Sequence, residues 1–322
     1  MISDTQSPPA AVLRAAGELR LLAWPALDAR GADAAVTARP GGVSSGPYAT
    51  LNLSLSVGDD PGCVLENRRR LAAAFGAGPA DFVFARQVHG AGVRVVGEAD
   101  RGSGAFSLDD AIDGADALVT RSPGLVLAIL TADCVPIVLH DPAAGVLGCV
   151  HAGWRGTAAG VPAAAVAAMR ALGARPSRIV AGLGPAIAAA RYQVGPDVHQ
   201  AITQAFGPAA HAFLRPDTRP AARPGAAPES APDRWLLDLW AANRHALRDL
   251  GIPGPQIHTA PYPTGPAAPD PTTTIANISP TSPIDPASPG LFFSDRSARP
   301  CGRLALVARL RAPGANSMNA AL

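Results

Sequence analysis

Residues 125–156 read LVLAILTADCVPIVLHDPAAGVLGCVHAGWRG. Three apolar runs of strand length lie inside this stretch, at 125–130, 135–139 and 146–150. Unbroken β-branched and aliphatic runs of this length suit strands buried on both faces. Each run stops abruptly. The first ends in Thr131-Ala132-Asp133-Cys134, and the third in His151-Ala152-Gly153-Trp154-Arg155-Gly156. Polar residues just past the end of a buried strand are where open α/β sheets build sites. A thiol, an imidazole, a carboxylate and a guanidinium are therefore expected near one edge of a sheet.

The rest of the chain bounds what that edge can do. At 322 residues and 48% hydrophobic it can bury a sizeable core in one large domain or two small ones. The formal net charge of +2, with no basic tract of five residues, gives no sign of a nucleic-acid partner. All 27 basic residues are arginine. The absence of lysine excludes a Schiff-base lysine, a Ser–Lys dyad and the lysine of a phosphate-binding loop. The four cysteines, Cys63, Cys134, Cys149 and Cys301, form no C-x-x-C pair, and a chain this long needs no disulfide staples. No run of eighteen apolar residues suggests a membrane span, and residues 1–5 lack a basic segment leading into an apolar one. The expectation is a cytoplasmic protein with reduced thiols.

Taken in order, residues 1–17 are expected to be disordered, and 21–26 and 34–38 have strand-like composition. The turn-rich 41–48 leads into 51–56, and reads either as a connector or as a substrate-facing loop with Ser44 and Asn52 as hydrogen-bonding groups. A helix is predicted over 63–75, capped at Asp60 or Gly62. A strand over 82–88 ends at His89, with 93–96 as its hairpin partner. Residues 109–116 pack four carboxylates into eight positions but lack the EF-hand pattern, and lead into a strand at 117–120 with Asp116 nearest the core. Thr157 is expected to cap a helix reaching Leu172, whose N-terminus beside Arg155 would suit an anion. Further elements are expected at 178–183, 197–206, 234–250 (a helix), 291–296 and 303–310 (both strands). Two Pro-rich insertions, about 215–233 and 261–290, interrupt the order; the second contains nine prolines, too many for a packed element. A tail over 313–322 is expected to be disordered.

His89 and His151 each follow a strand-like run, as does Cys134. Two imidazoles and one thiolate with no obvious fourth ligand suit a catalytic zinc, because structural zinc sites are closed by four protein ligands. The spacings are long and irregular, however, and spacing alone favours a core thiol and two ordinary, partly buried histidines. A metal-free nucleophile pair, Cys134 with His151, is the competing chemistry.

The ordered motifs resemble the bacterial YfiH-like family, also called the laccase-domain or polyphenol oxidase family and described as purine nucleoside phosphorylases and as a peptidoglycan editing factor. The resemblance rests on Gly42-Val43-Ser44 with Leu51-Asn52-Leu53, Asn67-Arg68, Gln87-Val88-His89-Gly90 and Asp116-Ala117-Leu118-Val119-Thr120. It continues through Thr131–Pro136, His151–Gly156, Gly184-Pro185-Ala186-Ile187, Asp238-Leu239, Phe293-Ser294 and Gly302-Arg303, covering roughly residues 18–312. It implies an α+β fold, a four-layer αββα sandwich with mixed sheets in a single domain. It also implies one zinc per chain, ahead of copper, held by His89, Cys134 and His151. The activities implied are phosphorolysis of adenosine, inosine and methylthioadenosine, deamination of adenosine, and removal of a misincorporated serine from a UDP-muramyl cell-wall precursor. Within that frame Asp133, then Asp116, are the carboxylates expected for proton transfer, Arg155 the group for phosphate or leaving-group charge, and Ser44, Asn52 and Gln87 the substrate-facing groups.

Three departures from the family pattern stand out: Gln193, where a Glu is common; 258–263 and the proline-rich insertion in place of a cysteine-containing segment; and Asp295, where an aromatic or His is frequent. None touches the three ligands. The laccase label fails a physical test, because a multicopper oxidase needs many histidines, commonly in His-x-His pairs, and the chain has seven and no such pair. The leading expectation is a zinc enzyme for small purine nucleosides and phosphate. Its rivals are the cell-wall hydrolase, the metal-free cysteine hydrolase and a non-enzymatic zinc-binding module.

Overall fold

Val135–Asp141 and Val146–Ala152 are buried along all seven residues, as strands covered on both faces must be. They form an antiparallel pair with Asp141 opposite Val146 and Val135 opposite Ala152. The computed structural model describes residues 10–219, 233–265, 290–312, 314 and 317. In it this pair is the centre of a six-stranded sheet ordered Ile257–Thr259, Val180–Leu183, Val135–Asp141, Val146–Ala152, Ala117–Thr120, Val93–Val95. The preceding strand, Val126–Thr131, belongs elsewhere. It lies in a seven-stranded sheet ordered Val12–Ala16, Leu19–Ala23, Ala32–Thr37, Leu304–Leu310, Val126–Thr131, Phe82–Arg86, Ile112–Asp113. Both sheets mix parallel and antiparallel pairs.

The two-residue period of a strand sends alternate side chains to opposite faces, and here both faces are apolar. Leu127 and Ile129 point between the sheets, where they meet Leu118, Val138 and Leu147 of the facing sheet. Val126 and Ala128 point outward and join Leu71 and Ala72 of helix Pro61–Ala74 and Phe75 at its end. On the other outer face, Val135, Ile137 and Val150 pack against Val161, Ala165 and Met169 of helix Val161–Ala171 and Leu239 and Leu247 of helix Leu239–Asp249. The order is helix, sheet, sheet, helix, the αββα sandwich expected from the family resemblance.

Several expectations need correction. Val93–Val95 is not the hairpin partner of Phe82–Arg86. It pairs in parallel with Ala117–Thr120 in the other sheet, because residues 87–92 cross between sheets. Disorder over 1–17 does not extend to Val12–Ala16, a strand paired with Leu19–Ala23 through a turn at Gly17, φ 61°. Thr157 does not cap a helix. Gly160, at φ 81°, breaks the segment into Trp154–Ala158 and Val161–Ala171, and Thr157 lies inside the first piece. The helix expected over 234–250 is a strand, Trp235–Leu237, and then Leu239–Asp249, because the Asp238 side chain accepts from the Ala241 N–H and starts the helix there. Residues 291–296 carry strand composition but form turns and bends. Of the two Pro-rich insertions, Leu214–Pro216 is a strand of a small third sheet. Residues 220–232 and 266–289 lie outside the described residues, as do 1–9 and most of 313–322.

Between the sheets Trp24, just past the end of Leu19–Ala23, lies against Gly182 of the six-stranded sheet. A Cβ at Gly182 would meet the Trp24 ring at 2.8 Å and Val138 at 2.9 Å. Gly182→Ala is therefore expected to destabilise the fold by about 1–3 kcal/mol through overpacking. Urea unfolding would show it, and an unchanged midpoint would refute the close approach.

Candidate metal centre

The crossings between the two sheets bring the predicted ligands together. His89 lies on the 87–92 crossing, after Phe82–Arg86 of one sheet. Cys134 lies on the short turn from Val126–Thr131 to Val135–Asp141, which also changes sheets. His151 is the penultimate residue of Val146–Ala152. The ligating atoms of His89, Cys134 and His151 all lie within 4.8 Å of one another. The two imidazoles meet edge to face, centroids 4.7 Å apart at 78°. His89 is exposed, Cys134 half-buried and His151 buried, so the cluster opens to solvent on the His89 side.

Asp116 organises this cluster. It is wholly buried just ahead of Ala117–Thr120. Its Oδ1 accepts from His151 Nδ1 at 2.8 Å and from the His89 N–H at 3.0 Å. Its Oδ2 accepts from the N–H groups of Gly90 at 2.6 Å and Val88 at 3.3 Å. Burial pushes the Asp116 carboxyl up, but the bonds from His151 and Gly90 outweigh it and hold it below the usual carboxylate range. Because a carboxylate only accepts, the His151 Nδ1 carries a proton, which leaves Nε2 as the nitrogen that would face an ion.

Burial likewise raises the Cys134 thiol, and the imidazoles of His151 and His89 more than reverse it, so the thiol is lowered. Burial lowers His151, and the Cys134 sulfur together with Asp116 more than reverses that, so the imidazole is raised. A thiol disposed to ionise is the form that binds metal.

The local backbone leaves no room for side chains at two glycines beside the cluster. A Cβ at Gly153 would meet Cys134 Sγ at 2.7 Å and His89 Cδ2 at 3.4 Å, and one at Gly156 would meet the Gly90 carbonyl at 2.9 Å. Only glycine lets Trp154–Ala158 begin this close to the cluster. Two imidazole nitrogens, one thiolate, a carboxylate behind one imidazole and an open side fit zinc or another borderline-soft transition metal. This is the single His/Cys/Asp/Glu cluster of three or more among the described residues.

The other expected site residues have definite places. Asp133, next to Cys134, is buried; its Oδ1 accepts from the Thr264 hydroxyl and its Oδ2 from the Arg296 N–H at 2.7 Å. Arg155 is exposed, its guanidinium 4.4 Å from the centre of the Trp154 ring. Gln87 pairs both ways with the Leu130 backbone, donating at 2.8 Å and accepting at 2.8 Å, and so extends its strand's pairing past Arg86. Ser44 donates to Asp59 Oδ2 at 2.6 Å, and Asn52 donates to the same oxygen at 2.9 Å. Asn67 closes that network by donating to Ser44 Oγ at 2.9 Å.

Sequence reading passed over Tyr192, Arg296 and Thr264. Burial and the nearby Cys134 sulfur push the Tyr192 hydroxyl up, while Arg296 and Arg155 pull against them, which sets Tyr192 in the electrostatic surroundings of the cluster. Arg296 lies 5.3 Å from the centre of the Tyr192 ring. Thr264 lies within the second Pro-rich stretch and Arg296 just after it, and no local pattern marks any of the three.

Two facing mixed sheets with a His–Cys–His cluster at their crossings define a single-domain protein of the YfiH type. The chain belongs to the family described as multi-copper polyphenol oxidoreductase laccase, which it matches over residues 33–311. The crystal structure of a Bacillus licheniformis protein, YfiH, superposes with a TM-score of 0.76 at 30% identity, covering 93% of this chain and 99% of that one. That of YlmD from Geobacillus stearothermophilus gives 0.74 at 33% identity, covering 93% and 98%. The Geobacillus protein, named purine nucleoside phosphorylase YlmD, is 40% identical over 231 residues, 71% of this chain and 80% of its own. A Streptomyces griseus protein, also named a purine nucleoside phosphorylase, is 49% identical over 171 residues, 53% of this chain and 67% of its own. Among the described residues, no helix is long and apolar enough to cross a membrane.

If Asp116 holds His151 for a metal, Asp116→Asn should weaken zinc binding about 10–100-fold while the fold persists. Chelator competition alongside circular dichroism measures both. Undiminished affinity would remove Asp116 from the centre.

Proposed function

We propose that the chain is a zinc-dependent purine nucleoside phosphorylase, acting on adenosine, inosine and methylthioadenosine, with adenosine deamination as a second activity of the same site. The observation that carries this reading is the His89–Cys134–His151 cluster with Asp116 behind it, in a chain whose relatives bear that name. Zinc held by these three side chains would supply a Lewis acid at the open side of the cluster.

The chain's own groups account for the remaining tasks. Phosphorolysis joins a phosphate oxygen to the ribose C1′, breaks the glycosidic bond and leaves a base that needs a proton. Arg155 is exposed, and among the described residues its guanidinium has no ion-pair partner, so it is the charge we assign to phosphate. Asp116 accepts four donors and serves to orient His151. Asp133 accepts two and keeps lone pairs to spare, so of the two carboxylates it is the one we assign to proton transfer. Ser44, Asn52 and Gln87 would act on substrate through the loops they brace, because their polar atoms are already bonded within the protein. Copper chemistry of the multicopper kind is disfavoured by the remaining histidines. His140, for one, is bonded through both ring nitrogens to the Val146 and Arg30 carbonyls. The four cysteines are free, which suits a reducing cytoplasm.

The test is metal analysis of the purified protein together with adenosine turnover, phosphate present and absent. About one zinc per chain is expected, with adenine and ribose 1-phosphate formed only when phosphate is present and inosine formed without it. Cys134→Ala should lose both zinc and turnover. Zinc without nucleoside turnover would shift the reading to the cell-wall precursor. Full turnover in metal-free protein, abolished by iodoacetamide, would replace it with the cysteine nucleophile.

A further inference from the structure

Asp133 adopts a φ of 84°, in the left-handed region that a residue with a side chain occupies only when its surroundings hold it there. Three contacts do so. The Thr264 hydroxyl donates to Oδ1, the Arg296 N–H donates to Oδ2 at 2.7 Å, and the Ile187 N–H donates to the Asp133 carbonyl at 3.0 Å. Thr264 is itself fixed. It is 1% exposed, its N–H donates to the Ala186 carbonyl at 2.9 Å, and Pro263 bridges to Ala186 in parallel. Thr264 and Arg296 lie on opposite sides of residues 266–289, and the backbone on the two sides approaches closely. A Cβ at Gly265, φ 72°, would meet Ser297 Oγ at 2.5 Å.

The consequence falls on the next residue. A planar trans peptide joins Asp133 rigidly to Cys134, so a turn about the Asp133 backbone swings the sulfur. Asp133 is only 8% exposed, and without the Thr264 hydroxyl one of its carboxylate oxygens would be left short of a donor. We propose that Thr264 is a positioning residue for the metal centre: its hydroxyl, with the Arg296 main-chain N–H, fixes Asp133 and thereby sets the direction in which Cys134 presents its sulfur to the ion. This rests on the reading of His89, Cys134 and His151 as metal ligands. It gives the otherwise unassigned Thr264 a role that depends on its hydroxyl and not on its bulk.

Thr264→Val keeps the volume and removes the hydroxyl, whereas Thr264→Ser keeps the hydroxyl. The expected result for Thr264→Val is zinc affinity lowered about 10–100-fold by chelator competition. Its cobalt-loaded form should have a weakened sulfur-to-cobalt charge-transfer band. Metal-free Thr264→Val should also show a changed rate of Cys134 alkylation by iodoacetamide, read by mass spectrometry at that residue. Thr264→Ser should return all three towards wild type. Wild-type values throughout in Thr264→Val would overturn the proposal, as would a Thr264→Ser protein that behaves like Thr264→Val. If Thr264→Val does not fold, Thr264→Ala, which removes the hydroxyl without placing a methyl against the Asp133 carboxylate, carries the same prediction. Should the wild-type protein bind neither zinc nor cobalt, the metal reading falls by itself. The alkylation comparison in metal-free protein then still decides whether Thr264 aims the sulfur.

Discussion

The buried carboxylate of Asp116 is the interaction on which the site depends. An ionised carboxylate with no exposure is costly unless its oxygens are filled with donors. Here the donors are the successive N–H groups of Val88, His89 and Gly90, together with the His151 imidazole. The three backbone donors belong to a segment crossing from one sheet, and His151 belongs to a strand of the other. Satisfying one charge therefore fixes the crossing, orients one ligand and places the second. The same charge settles the His151 tautomer, which a metal ligand requires.

A second constraint is steric. The cluster sits where the start of Trp154–Ala158 presses against Cys134, and that approach exists because residues 153 and 156 lack a Cβ. Among the described residues, the two with side chains and a positive φ are His89 and Asp133, a ligand and the neighbour of a ligand. Strain of this kind persists where surrounding contacts over-determine the backbone, and it gathers at functional sites. In this chain those contacts are Asp116 for His89 and the Thr264–Arg296 pair for Asp133.

Much of the fold was legible. The runs at 135–139 and 146–150 became strands buried throughout, and Asp60 caps its helix as expected. The errors share a cause. Residues 93–96 follow a strand closely, as a hairpin partner would, yet Val93–Val95 pairs with Ala117–Thr120 in the other sheet. Trp235 and Leu236 fit a helical spacing, but they lie in a strand closed off by the Asp238 cap. In both cases local pattern was outweighed by a partner distant in sequence.

The sequence by itself determined the strand runs, the glycines and polar residues at their ends, and, through its family motifs, the three candidate ligands and the αββα layering. Periodicity and side-chain chemistry are local properties, and they survive reading in one dimension. Only the tertiary structure decided that Val126–Thr131 and Val135–Asp141, with residues 132–134 alone between them, lie in different sheets. It alone showed that Asp116 holds His151 and that Thr264 reaches Asp133. Those facts depend on hydrogen bonds between segments far apart in the chain, and no spacing along a sequence encodes which buried donor a given carboxylate will find.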